Sequence, residues 1–196
     1  MDISRRPAYL VLRQRAGTAI MYRDNSLIPS EAIRLAALGS LAQAAKPYAA
    51  VAGEVRHFAG RIVGPSLDLM GPSLELLRVE GLVEAEDGDD APMRITEAGR
   101  QELRRLLTAG LRGPLSELNK LIIALKLRFL HLLDPAEQRL QAELLAETCE
   151  KELVRLDDLR GHHAGEAGHL VDWLDHDIAQ VRARLAWFRE LEGRLK

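Results

Sequence analysis

The chain has 196 residues, 47% hydrophobic but only 4% aromatic, and a formal net charge of −2. That length allows one good core, or a small domain with a helical appendage, and an excess of Leu, Ala, Glu and Arg favours helices over sheets. The balance of charge excludes a global attraction to nucleic acid, so any such contact has to come from local patches.

Residues 1–28 read as an appended basic segment, in which Arg5, Arg6, Arg13, Arg15 and Arg23 stand against Asp2 and Asp24 for a net charge of +3. Tyr9-Leu10-Val11-Leu12 and Thr18-Ala19-Ile20-Met21-Tyr22 flank Arg15-Ala16-Gly17, which suits either a small hairpin or an amphipathic helix. A first helix is expected from Ser30, with Ile33, Leu35, Leu38 and Leu41 on one side. Pro47 opens a second, over residues 48–58, that ends at Gly60. A third follows Gly64-Pro65-Ser66, carries Gly71-Pro72 and continues from Pro72 to Glu80, because proline is tolerated in a first helical turn.

Arg78-Val79-Glu80-Gly81-Leu82 then stops that helix at a glycine able to close it in a left-handed conformation. Leu82-Val83-Glu84-Ala85 and Met93-Arg94-Ile95 are short enough to be the two strands of a wing. The chain restarts at Ile95-Thr96-Glu97-Ala98-Gly99, where Thr96 is a good N-cap and Glu97 favours the positive helix end. The fourth helix runs from 97 to about 111 and stops at Gly113-Pro114.

The remainder reads as helical. Asp134-Pro135-Ala136-Glu137 combines an N-cap, a proline at the first position and a glutamate that reaches back, and its helix extends to about 159. Gly161-His162-His163-Ala164-Gly165 breaks it. The last helix carries Leu174, Ile178, Val181, Leu185 and Phe188 at alternating steps of four and three, a seam narrower than a globular face and like that of a coiled coil.

A helix stopped by glycine, an acidic excursion and an Ile-Thr-Glu-Ala-Gly restart is the pattern of a winged helix-turn-helix. Over residues 30–193 the chain resembles PadR-type transcriptional regulators. Tyr48 stands where that family usually has Gly-Tyr, and Leu74, Leu77, Gly81 and Leu82 fit its spacing through the recognition helix. Ile95-Thr96-Glu97-Ala98-Gly99-Arg100 fits the restart after the wing. Arg128-Phe129-Leu130-His131-Leu132-Leu133-Asp134-Pro135 and Ala186-Trp187-Phe188-Arg189-Glu190-Leu191 make the likeness specific.

The resemblance implies a mainly α protein, a winged helix-turn-helix followed by a long-helix dimerisation region. It divides into a basic extension (1–28), the winged helix (29–112) and the dimerisation helices (113–196). It also implies a homodimer that binds double-stranded DNA, responds to a small-molecule effector and represses transcription. Departures are concentrated in the wing and the recognition helix. Leu69-Met70-Gly71-Pro72 keeps only the proline of the family's Leu-Tyr-Pro opening, and Glu75-Leu76 replaces basic residues. Glu84, Glu86, Asp87, Asp89 and Asp90 put five acids within seven residues of the wing. Residues 30–104 hold eight bases against twelve acids, a net of −4, whereas DNA affinity draws largely on phosphate neutralisation.

The expected DNA contacts are Tyr48 at the second helix, Ser73 and Arg78 on the recognition helix, and Arg5, Arg6, Arg13 and Arg15 of the basic arm. Leu174, Ile178, Val181, Leu185 and Phe188 are expected to form the dimer seam, since a lone appendage would leave them in water. An acidic wing supports a second reading, a winged-helix dimer that has lost DNA binding and serves as a protein-interaction or ligand-sensing module.

His169, Asp172 and His176 share one helix face but lack a Cys or Glu-x-x-His partner element, so a solvated helix outweighs a metal site. Trp173 and Trp187 suit helix packing better than an aromatic ligand pocket. No nucleophile–base pair, phosphate-cradling loop or paired carboxylate motif points to an enzyme, and no cofactor is implied. Cys149, the single cysteine, suits a buried helical position in a reducing compartment. The longest apolar runs, such as Leu121-Ile122-Ile123-Ala124-Leu125, fall short of a membrane span, so a cytoplasmic protein is expected.

Overall fold

The computed structural model describes residues 27–64, 70–85, 91–111 and 117–195. Helix α1 (Pro29–Gln43) opens with a proline, and the Glu31 carboxylate accepts the orphan Ile28 N–H at 3.0 Å. Strand β1 (Lys46–Pro47) leads into α2 (Tyr48–Val63). Helix α3 (Met70–Val79) carries Gly71 and Pro72 in its first turn, as expected, and ends one residue short of Glu80. Strands β2 (Val83–Ala85) and β3 (Pro92–Ile95) pair antiparallel with Val83 opposite Ile95 and Ala85 opposite Met93.

β3 also pairs with β1, in the order β1-β3-β2. This third strand escapes a sequence reading because two residues cannot show alternation. Helix α4 (Glu97–Thr108) follows the wing, and α5 (Glu117–Phe129) ends in a 3₁₀ turn (Leu130–Leu132). Helices α6 (Pro135–His162) and α7 (Leu170–Arg194) form a long antiparallel hairpin. Asp134 caps α6 as expected, its carboxylate accepting the Glu137 N–H at 2.8 Å, and the helix runs a turn past 159.

Two cores hold these elements. The first joins Ile33, Leu35, Leu38 and Leu41 of α1 to Val51 and Val55 of α2, Leu74 and Leu77 of α3, and Val83, Met93 and Ile95 of the sheet. Leu103 and Leu106 of α4 complete one wall, and Leu121, Ile122, Leu125 and Phe129 of α5 the other. Thus α5, which the sequence groups with the dimerisation helices, packs with the winged helix, and Leu27 from the end of the basic segment lies in the same core. Gly39 is what lets α1 approach α5, because a Cβ there would sit 2.5 Å from the Phe129 ring. The second core is the hairpin's own and contains Leu145, Cys149 and Leu156 of α6 with Leu174, Ile178, Val181 and Phe188 of α7.

That arrangement corrects the reasoning behind the expected dimer seam. Leu174, Ile178, Val181 and Phe188 are buried within one chain, and Leu185 is half-buried against the same core. The four-and-three spacing finds its partner in α6, so these side chains do not wait in water for a second copy.

Candidate nucleic-acid interface

The Thr-Glu-Ala-Gly restart fixes the wing to the recognition element. Thr96 Oγ1 accepts the Gly99 N–H at 3.0 Å and donates to the Gly81 carbonyl at 2.8 Å, so one hydroxyl caps α4 and ties it to the end of α3. Gly81 takes φ of +70°, the left-handed closure expected of it. Gly99 has a second reason to be glycine. A Cβ there would lie 2.1 Å from the Leu82 carbonyl oxygen and 2.8 Å from Ile95 Cγ1, so β2 can enter the sheet only beneath a bare backbone.

Helix α3 turns Leu74 and Leu77 into the core and leaves Glu75, Leu76, Arg78, Val79 and Glu80 outward. Its acids are engaged by neighbouring helices. Arg34 of α1 grips Glu80 with both guanidinium nitrogens, one at 3.1 Å, and also lies 3.6 Å from Glu102 of α4. Tyr48 is half-buried at the first position of α2; burial first, then the nearby Glu75 charge, pushes its phenol up from its ordinary value. The phenol expected to meet DNA therefore lies near a carboxylate of α3. Arg78 is exposed and has no carboxylate partner among the described residues.

Among the described residues of the winged helix, four more arginines share that condition. Arg56 and Arg61 lie on the exposed side of α2, Arg94 on the open face of the wing opposite Glu84, and Arg100 near the start of α4. Sequence reading did not single out Arg56, Arg61, Arg94 or Arg100 as contacts. Ser73 lies in the opening turns of α3. Arg5, Arg6, Arg13 and Arg15, and the acids 86–90 of the wing, lie outside the described residues.

Behind this surface sits a network of charges that fixes α2. Glu54 accepts from Ser40 at 2.7 Å, from Lys46 at 2.6 Å and from Arg128 of α5, whose guanidinium also lies 4.9 Å from the Phe58 ring centre. Burial would raise the Glu54 carboxyl, but those three donors outweigh it and hold the group down to about 2.

A second polar point joins the winged helix to the hairpin. Lys126 of α5, 2% exposed, donates to the Leu107 and Ala109 carbonyls at the end of α4, at 2.5 and 2.6 Å, and to Gln141 Oε1 of α6 at 2.9 Å. Burial lowers its ammonium to about 8, still charged at neutral pH, as three acceptors require. Arg104 of α4 adds a bond to Glu137 at 2.6 Å, beside a cleft of about 330 Å³ between α4 and the start of α6.

The other candidates resolve simply. His169 meets Asp172 at 3.1 Å, His176 faces Gln180 instead, and no metal-binding group of three side chains occurs among the described residues. Cys149 is buried in α6, and that burial raises its thiol. Trp173 and Trp187 are 59% and 43% exposed, so neither packs fully within the hairpin. No helix among the described residues is long and apolar enough to cross a membrane.

Comparison with solved structures returns Bacillus subtilis PadR in complex with operator DNA, at 16% identity and a TM-score of 0.37, covering 85% of this chain and 99% of that one. The same protein in complex with p-coumaric acid gives 15% identity, a TM-score of 0.34 and coverage of 87% and 98%. A PadR-like transcriptional regulator from Bacillus cereus gives 17%, 0.35, and 83% and 97%. No curated protein sequence matches significantly. The family model of AphA-like transcriptional regulators matches residues 22–192, nearly the whole chain. The class implied by the PadR resemblance and the class of the matched family are the same, and the chain belongs to the AphA-like transcriptional regulators.

Proposed function

We propose that this protein is a homodimeric, DNA-binding transcriptional regulator. The observation that carries this reading is the outward α3 with a two-stranded wing beside it, in a chain whose family is one of transcriptional regulators. Arg56, Arg61, Arg78 and Arg94, free of carboxylate partners among the described residues, offer the phosphate contacts that the net charge of the region withholds. Arg5, Arg6, Arg13 and Arg15 add a basic arm able to reach flanking phosphates or a minor groove. Tyr48 and Ser73 complete the proposed contacts from the starts of α2 and α3.

Dimerisation falls to the stripes that the hairpin does not bury itself. Leu140, Leu144 and Val154 share one stripe of α6, and Trp173 and Trp187 one stripe of α7, all exposed in the single chain. A small-molecule effector fits the cleft between α4 and α6, where an occupant would touch both the winged helix and the hairpin.

The test is anisotropy of the full-length protein on a labelled duplex from its own upstream region, across a salt series. The logarithm of affinity should fall linearly with that of salt concentration, with a slope set by the phosphates neutralised. Replacing Arg5, Arg6, Arg13 and Arg15 with alanine should weaken binding to every sequence and flatten the slope. Absence of any salt-dependent binding, unrestored when Asp87, Asp89 and Asp90 become asparagine, would overturn the reading and favour an interaction module.

A further inference from the structure

The outward face of α3 carries two large aliphatic side chains where a DNA-reading helix would be expected to present polar ones. Leu76 is 47% exposed and Val79 82%. They stand three residues apart, so they project side by side, opposite the buried Leu74 and Leu77. The Glu80 carboxylate near them is drawn aside by Arg34. Among its described side chains, α3 thus offers outward an aliphatic pair beside Arg78 and Glu75.

We propose that Leu76 and Val79 are specificity determinants that read thymine C5-methyl groups in the major groove. This rests on the DNA-binding function proposed above. In the major groove the thymine methyl is the apolar feature a base edge presents, and aliphatic side chains are its natural partners. A protein partner is the weaker fit, because two side chains fall far below the roughly 800 Å² per partner of a stable protein interface. Arg78, next in sequence to Val79, supplies a phosphate or guanine contact that sets the helix in register. Selectivity then comes from shape and desolvation at two base pairs and adds nothing to the salt dependence.

The experiment uses the full-length protein and duplexes that it selects from a randomised library. Each selected duplex is remade with deoxyuridine in place of thymidine at single positions, which removes one methyl group and changes no hydrogen bond. Affinity should drop about fourfold for each methyl that α3 reads, the effect of leaving one methyl group unburied. Leu76→Ala and Val79→Ala, both at exposed positions, should show the same loss on thymine duplexes and none on the matching deoxyuridine duplexes, with the salt slope unchanged. Equal affinity for thymine and deoxyuridine duplexes would overturn the proposal while leaving DNA binding intact. Equal losses for the variants on both duplexes would also overturn it. If the selection returns no duplex at all, the DNA-binding reading fails and this inference falls with it.

Discussion

Substituting alanine for Gly99 isolates the feature that makes the restart after the wing work. In most helix interiors Gly→Ala stabilises by about 0.5–1 kcal/mol, because glycine loses more backbone freedom on folding. At Gly99 the added Cβ meets the Leu82 carbonyl oxygen at 2.1 Å, and that oxygen belongs to backbone that cannot rotate away as a side chain can. The same carbonyl accepts the Thr96 N–H at 3.1 Å, and the adjoining Gly81 carbonyl accepts Thr96 Oγ1. Relief of the clash thus displaces β2 or loosens both bonds.

Overpacking costs roughly 1–3 kcal/mol, and each weakened hydrogen bond about 1 kcal/mol. Against the propensity gain, Gly99→Ala should destabilise by about 2–4 kcal/mol. Gly53, exposed in α2 with nothing within 4 Å of an added Cβ, is the matched control and should gain about 0.5–1 kcal/mol. Urea unfolding followed by far-ultraviolet circular dichroism, at one protein concentration, compares the two. A Gly99→Ala protein as stable as the parent would show that β2 does not run against α4 as described, and the wing geometry would fall.

Glu54 has its carboxyl depressed to about 2, so the stability it contributes is full above about pH 4.5 and is lost as pH falls from there toward 2; Glu54→Gln should cost about 2–3 kcal/mol at pH 7 and flatten acid unfolding in that window, read by thermal melts across pH. Lys126→Met should destabilise by about 3 kcal/mol or more, because it strips the donor from two buried carbonyls and Gln141; an unchanged unfolding curve would refute the clasp. Leu174→Ala should lower folding stability by about 2–5 kcal/mol through the hairpin core, and a variant that shifts only the monomer–dimer balance in sedimentation would restore the intermolecular seam.

Punctuation residues made the winged helix legible. Gly81, Thr96 and Asp134 each do locally what their chemistry requires, so their roles need no knowledge of distant partners. Distant pairing stayed hidden. The spacing of Leu174, Ile178, Val181 and Phe188 specifies that an apolar partner exists, but is silent on whether it belongs to α6 or to another chain. Gly113-Pro114 reads as a boundary, yet Leu121, Ile122, Leu125 and Phe129 beyond it complete the first core. Of the proposed interface, Arg78 stands outward, whereas the nearness of Tyr48 to Glu75 depends on how α2 and α3 cross, which a one-dimensional pattern does not encode.

Leu191 and Leu195, near the end of α7, pack against the first core beside Leu130 and Leu133, so the base of the hairpin and the winged helix share apolar contacts. The 28 residues of α6 make a rod about 42 Å long, tied to the winged helix near its start by Gln141 and Glu137. With the far end held, a tilt of about 5° carries the base sideways by about 4 Å over such a length, close to the roughly 3.4 Å step between phosphates along one DNA strand. If the proposed DNA contact is made, the hairpin is a stylus arm: the angle at which its far end is held sets where along the duplex the winged helix comes down.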